Sequence, residues 1–181
     1  LSRYNNSAFK RGAGTIKQAL WYYTSLLFFR SGWLPVYGFK RMLLRAFGAR
    51  LGPAVIIKPH VRIKFPWKLQ IGAYSWIGEY AWIDNLAPVN IGAHCVLSQG
   101  CLLLTGNHDY KRADFALITQ PITLEDGCWI GAKAAVAPGV SCGNHAVLSM
   151  QSVAVQNLAP FAIYQGNPAR KVRMREIKGD N

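Results

Sequence analysis

The sequence predicts an all-β solenoid, a parallel β-helix of hexapeptide repeats behind a short helical cap. Three observations carry that prediction. Between Leu51 and Val153 an aliphatic residue returns at six-residue steps, in units such as "IGAYSW", "IGEYAW" and "IGAKAA". The fifth position of each unit is small, and the second is frequently Gly. Residues 1–50 lack the repeat and space their apolar residues as helices do. Self-similarity at a short fixed period marks a chain that coils upon itself, each coil burying its neighbour. A β-sandwich fits poorly, because sandwich strands are not spaced by a constant interval.

The chain divides into a basic, aromatic cap (1–50), the solenoid (51–165) with an interrupting loop at 105–121, and a basic tail (166–181). Within the cap, spans 15–30 and 36–47 predict two helices, separated by "SGWLP". Ile16, Leu20, Tyr23 and Leu27 share a face of the first. Phe39, Leu43 and Phe47 share a face of the second, with Arg41 and Arg45 elsewhere on it. Gly48 is placed to end that helix. The run "ALWYYTSLLFF" (19–29) superficially resembles the apolar part of a signal peptide. No small-x-small cleavage site follows it, and it falls short of the roughly 20 residues that span a bilayer, so it is expected to stay in the mature protein. The cap must cover the first coil, and a basic amphipathic cap can also lie on an anionic membrane.

Three units should close one triangular coil, leaving room for about five coils between Leu51 and Val153. The first position points inward, and the fifth points inward near a corner, where only a small side chain fits. Gly at the second position is expected to supply a positive φ. His60, His94 and His145 all fall at the fourth position, which points outward at a corner. Cys95, Cys101 and Cys128 fall at the fifth and Cys142 at the first, so all four read as small core residues. With no Cys-x-x-Cys pair, they suit a reducing, cytoplasmic setting.

The net charge of +13 is unevenly spread. Residues 1–78 hold 13 Lys and Arg and no Asp or Glu; residues 79–165 hold 3 basic and 6 acidic residues. A segment without carboxylates suggests an anionic partner or surface. No helix-turn-helix, zinc-finger or RNA-binding signature accompanies it, so nucleic acid is not the expected partner. The inner face of the cytoplasmic membrane is the better match.

The repeat breaks once, at "LLLTGNHDYKRADF" (102–115), exposing His108 among polar residues. An imidazole, with a pKa of about 6.5, suits removal of a proton from an alcohol. The loop motif "TGNHD", the stretch "CWIGAKAAVAPGV" and the ending "GNPARKVR" resemble the hexapeptide-repeat O-acetyltransferases. "FPWKLQIG" and the aromatic, basic N-terminal segment are similar to the colanic acid biosynthesis branch in particular. The resemblance covers residues about 10 to 177.

That resemblance implies a left-handed β-helix acting as a homotrimer, with acetyl-CoA as co-substrate and no metal. It implies direct O-acetylation of a sugar of a surface polysaccharide or its lipid-linked precursor, with His108 as general base. Asn107 and Asp109 are the candidates to orient its ring. It places the pantetheine arm between subunits near Trp129, Gly131, Ala132, Met150 and Val155, where Gly131 and Ala132 are small enough to let a thin ligand approach. Ala132, Met150 and Val155 carry no hydroxyl, so contacts there would be apolar or through backbone. Arg170, Lys171 and Arg173 are the cations for the phosphates of CoA. Glu79, Asp84 and Asn85, in or near the irregular step "IDNLAPVN", are candidates for the acceptor hydroxyls.

Other readings of the same fold are a small-molecule acetyltransferase, a zinc carbonic anhydrase and a non-catalytic solenoid. A zinc site needs three converging histidines, and the four here stand 34, 14 and 37 residues apart.

Overall fold

Every aliphatic residue that opens a repeat unit turns into a prism. In a computed structural model that describes residues 4, 6–7, 9–34 and 36–177, Ile57, Ile77, Ile83, Leu97, Leu103, Ile130 and Leu148 are at most 1% exposed. Each such burial contributes about 1.5–3 kcal/mol. The small fifth-position residues, from Val55 through Ser75, Cys95 and Cys128 to Ala146, are buried beside them.

The first coil is β1 (Arg50–Leu51), β2 (Ile56–Ile57) and β3 (Arg62–Ile63). The second is β4 (Leu69–Ile71), β5 (Trp76–Ile77) and β6 (Trp82–Asp84), and the third is β7 (Val89–Ile91), β8 (Val96–Leu97) and β9 (Leu102–Leu104). A hairpin, β10 (Gly106–His108) with β11 (Leu117–Thr119), then leaves the prism. The fourth coil is β12 (Ile122–Leu124), β13 (Trp129–Ile130) and β14 (Ala135–Val136), and the fifth is β15 (Ser141–Cys142), β16 (Val147–Leu148) and β17 (Val153–Ala154). Leu158 and β18 (Ala162–Gly166) begin a sixth turn, and β19 (Ala169–Met174) folds back on β18. The basic tail therefore carries a strand of its own, antiparallel to the last coil.

Parallel pairing in register stacks the coils into three faces. The first face (β1, β4, β7, β12, β15) presents Arg50, Gln70, Asn90, Thr123 and Ser141 outward. The second (β2, β5, β8, β13, β16, β18, β19) presents Ile56, Trp76, Val96, Trp129, Val147 and Ile163. The third (β3, β6, β9, β14, β17) presents Arg62, Trp82, Leu102, Ala135 and Val153. One face is polar, while the other two are mostly apolar.

The positive φ falls at the fourth position and not at the second. Ala54, His60, Tyr74, Tyr80, His94, Lys133, His145 and Gln151 have φ between 54° and 62°. The second-position glycine is needed for room instead. A Cβ on Gly72 would stand 2.4 Å from the backbone of Gly92 and Ala93, one coil on. The fourth-position histidines face out and stack along the corners, His60 on Tyr80 at 4.6 Å and His94 on Tyr74 at 5.2 Å.

Helices α1 (Thr15–Phe28) and α2 (Tyr37–Ala46) cover the first coil. Gly48 ends α2 with φ +99°, its N–H donating to Arg45 while Ala49 N–H donates to Leu44, so two terminal carbonyls are satisfied. The cap also gives three of its cations a structural task. Strand carbonyls that each later coil offers to the coil before it have no such partner in the first coil. Arg45 donates to Leu51 O (3.0 Å), Arg41 to Val55 O (2.9 Å), Lys40 to Ile57 O (3.5 Å) and Trp21 to Ile63 O (3.0 Å). Three of the N-terminal cations are thus directed at the open edge of the solenoid itself.

The shared face of α1 is not its packing face. Trp21 and Ser25 turn inward, with Trp21 against Phe29 and Phe47 at 5.2 Å each. Ile16, Leu20, Tyr23 and Leu27 are each more than half exposed. Among the described residues, no helix is long and apolar enough to cross a membrane.

Candidate active site

The site is built where the third face turns back to the first. Thr105, fully buried, donates its hydroxyl to Asp84 O (2.9 Å) and accepts from Ala87 N–H (3.0 Å). Asn85 stitches the same corner one coil earlier, its Oδ1 accepting from Phe65 N–H (2.9 Å) and its Nδ2 donating to Phe65 O (2.6 Å). From this anchored corner the β10–β11 hairpin projects, pairing His108 with Leu117.

His108 is partly buried and held on both sides. Its Nδ1 lies 2.9 Å from the carbonyl of Phe115, and its ring stacks on that of Phe115 at 4.4 Å and 7°. Tyr4 approaches at 5.8 Å. A carbonyl only accepts, so Nδ1 carries the proton and Nε2 keeps its lone pair. The orienting group is therefore the Phe115 backbone. Asn107 Oδ1 instead accepts from His108 N–H (2.8 Å), and Asp109 Oδ1 from Lys111 N–H (3.1 Å), so both shape the loop and not the ring. His108 lines a cavity of about 420 Å³ with Tyr4, Arg11, Gln18, Lys64 and Phe65 among its walls.

The acceptor candidates separate. Asp84 stays beside the site, 8% exposed and 3.1 Å from Lys64 Nζ. Asn85 is fully buried with its amide committed to Phe65, which leaves nothing for a ligand. Glu79 lies on the corner between the second and third faces, away from the hairpin.

The cofactor candidates lie mainly elsewhere on the prism. Trp129 is 47% exposed on the second face, its Nε1 donating to Ser98 Oγ (2.9 Å). Ala132 and the exposed Met150 share the corner between the second and third faces, and the exposed Val155 follows β17. Gly131 is not open to a ligand: a Cβ there would stand 2.5 Å from Met150 N, so coil stacking dictates the glycine. Arg170, Lys171 and Arg173 are exposed on β19. The second face lies opposite the corner that bears His108, so one chain does not bring its Trp129 to its own His108.

The thiols are interior. All four cysteines are free and buried, and burial pushes Cys101 and Cys142 up to about 12. The Cys95 thiol is held below its ordinary value by a hydrogen bond with Cys128, but all four thiols are at most 1% exposed, so none is poised as a nucleophile. His94 and His145 share the corner between the first and second faces two coils apart, His60 lies at the next corner and His108 on the hairpin, and no group of three or more His, Cys, Asp or Glu among the described residues is arranged to hold a metal ion.

Sequence reading had no means of finding Phe115 as the orienting residue, because a backbone carbonyl carries no signature. Its one trace is a phenylalanine that closes the interruption.

No family model matches the chain. Over 167 residues it is 38% identical to a relative named as the colanic acid biosynthesis acetyltransferase WcaF of Escherichia coli (strain K12), covering 91% of either chain. The galactoside O-acetyltransferase of the same strain is 24% identical over 137 residues, 74% of this chain and 68% of that one. A solved hexapeptide-repeat acetyltransferase of Vibrio cholerae O1 biovar eltor, complexed with acetyl-coenzyme A, matches with a TM-score of 0.81 and 25% identity over 92% of each chain. The chain belongs to the hexapeptide-repeat acetyltransferases, acyltransferases built on a left-handed β-helix, and within them to the branch of the colanic acid biosynthesis enzymes.

Proposed function

We propose that the protein transfers an acetyl group from acetyl-CoA to a sugar hydroxyl of a surface polysaccharide or its lipid-linked precursor, with His108 as general base. The carrying observation is the His108 Nδ1 contact with Phe115 O, which leaves Nε2 as a fixed proton acceptor lining a cavity. Nε2 takes the hydroxyl proton as the oxygen attacks the thioester carbonyl. The C–S bond then breaks, and the departing thiolate recovers that proton. The absence of an available thiol near the loop favours direct transfer over an acyl-enzyme.

Acetyl-CoA is assigned to the edge bearing Trp129, Ala132 and Met150, with Arg170, Lys171 and Arg173 toward its phosphates. The Vibrio cholerae relative's complex with acetyl-coenzyme A supports that co-substrate. A homotrimer would set that edge against a neighbour's His108. Two adjacent apolar faces, one meeting the other in the next copy, are what a closed heterologous ring requires. The need for acetyl-CoA and the free, buried thiols support a cytoplasmic setting for the reaction.

The test is mass spectrometry of candidate acceptors incubated with acetyl-CoA, wild type against His108→Ala. Acetylated sugar from the wild type, reduced in the variant by about 10²–10⁴-fold, is the expected outcome. An equally active variant rules the base out.

A further inference from the structure

The cavity lined by His108 has a neighbour on the α1 side. Gln18, Lys64 and Phe65 line both, and the second is a cavity of about 360 Å³, between α1 and the third face. Arg30, Arg62 and Lys64 ring this second space, and Trp21 and Trp82 wall it. Asp84 is the one carboxylate lining it, and it is paired with Lys64 at 3.1 Å. Arg30 and Arg62 are uncompensated: neither has an ion-pair partner among the described residues. Arg62 is laid over the ring of Trp82 at 4.4 Å, which fixes its plane while leaving its donors free of any carboxylate.

Other N-terminal cations are turned to structural tasks. Lys40, Arg41 and Arg45 serve the solenoid edge, and Lys68 donates to Lys10 O at 2.9 Å. Two uncompensated guanidinium groups in one cavity, which shares walls with the cavity of a proton acceptor, favour a doubly charged oxyanion held bidentately.

We propose that this cavity is a phosphate subsite for the acceptor. It takes the phosphate or diphosphate through which the acceptor sugar is joined to a carrier, and it selects such acceptors over neutral sugars. The inference rests on the sugar-acceptor reading above. The phosphate is bound and not cleaved. The phosphates of CoA have separate candidate cations on β19, on the face opposite the hairpin's corner. A lipid carrier and a nucleotide carrier present the same phosphate chemistry here.

The test uses the full chain with saturating CoA, so that the cofactor's own anion sites are filled. Calorimetric titration with inorganic pyrophosphate is expected to show binding that Arg30→Ala or Arg62→Ala weakens at least about tenfold, while Arg170→Ala leaves it unchanged. No binding, or binding indifferent to both arginines, overturns the proposal. In acetyl transfer, sugar 1-phosphate, nucleotide-diphosphate sugar and prenyl-diphosphate sugar are compared with the free sugar. Arg62→Ala should raise the KM of the phosphorylated acceptors about tenfold and leave the KM of acetyl-CoA unmoved. The better substrate of the lipid and nucleotide arms identifies the carrier. Equal use of neutral and phosphorylated sugars overturns the subsite but leaves the transferase reading standing. Pyrophosphate bound at the two arginines, with no sugar acetylated, supports the subsite and removes the sugar as acceptor.

Discussion

The imidazole of His108 lies flat against the ring of Phe115 and donates through Nδ1 to the carbonyl of that same residue. One residue thus fixes both the plane and the tautomer of the base. Phe115→Ala keeps the carbonyl and loses the ring. An aromatic stack contributes about 0.5–1.5 kcal/mol, so kcat should fall by no more than about tenfold, far less than in His108→Ala. Rates measured by acetyl-product mass spectrometry check this, and equal losses for the two variants would mean the ring does more than hold the imidazole.

Glycine substitutions should rank by room and not by φ. Gly72 has ordinary backbone angles, but a Cβ there meets backbone atoms at 2.4 Å. Gly100 has φ +67°, and its Cβ would meet only the flexible Lys133 side chain at 3.4 Å. Gly72→Ala is expected to cost about 3 kcal/mol and Gly100→Ala about 1 kcal/mol. Urea unfolding midpoints measure the order, and a reversed order contradicts the stacking account.

Lys40 is fully buried without a carboxylate, and burial lowers its pKa. Between that lowered value and the ordinary lysine value the unfolded chain binds more protons, so stability rises with pH across that alkaline window. Below it, the cost of burying the charge is carried in full. Lys68 shifts the same way, so the comparison is with Lys40→Met, which should lack part of the alkaline gain. Unfolding free energies taken from neutral pH to the lysine range, wild type against variant, decide it. Parallel curves would count against a charged Lys40.

Trp76 and Val96 stand outward on the second face, 51% and 36% exposed in the single chain. If the apolar faces meet around a threefold axis, Trp76→Asp or Val96→Asp buries a carboxylate and should yield monomers without acetyltransferase activity. Sedimentation of the wild type at three times the chain mass, and of the variants at one, is the expected result. Monomeric wild type with full activity would sink the shared site.

The solenoid was legible because its signal is repeated: each inward Ile or Leu confirms the register of the last, and His60, His94 and His145 fell outward as their position required. The two helices and the Gly48 ending were legible from spacing. The packing face of α1 was not, since Tyr22, Tyr23, Leu26 and Leu27 surround Trp21 with apolar side chains on nearly every side. Reading positive φ into the second-position glycines erred because the crowding comes from the next coil, which one unit of sequence does not contain. Asn85 looked like a sugar ligand, but a buried amide is free only if the backbone beside it is satisfied, and Phe65 was not. Arg62 belonged to the repeat, so nothing marked it as part of a cavity.

The lysine, arginines and tryptophan that Lys40, Arg41, Arg45 and Trp21 contribute to the first coil do one thing more. A ladder of parallel strands left uncovered at one end is a template for adding further chains. By plugging that end with side chains and not with another strand, the protein keeps a fold built for indefinite extension from growing into a fibre.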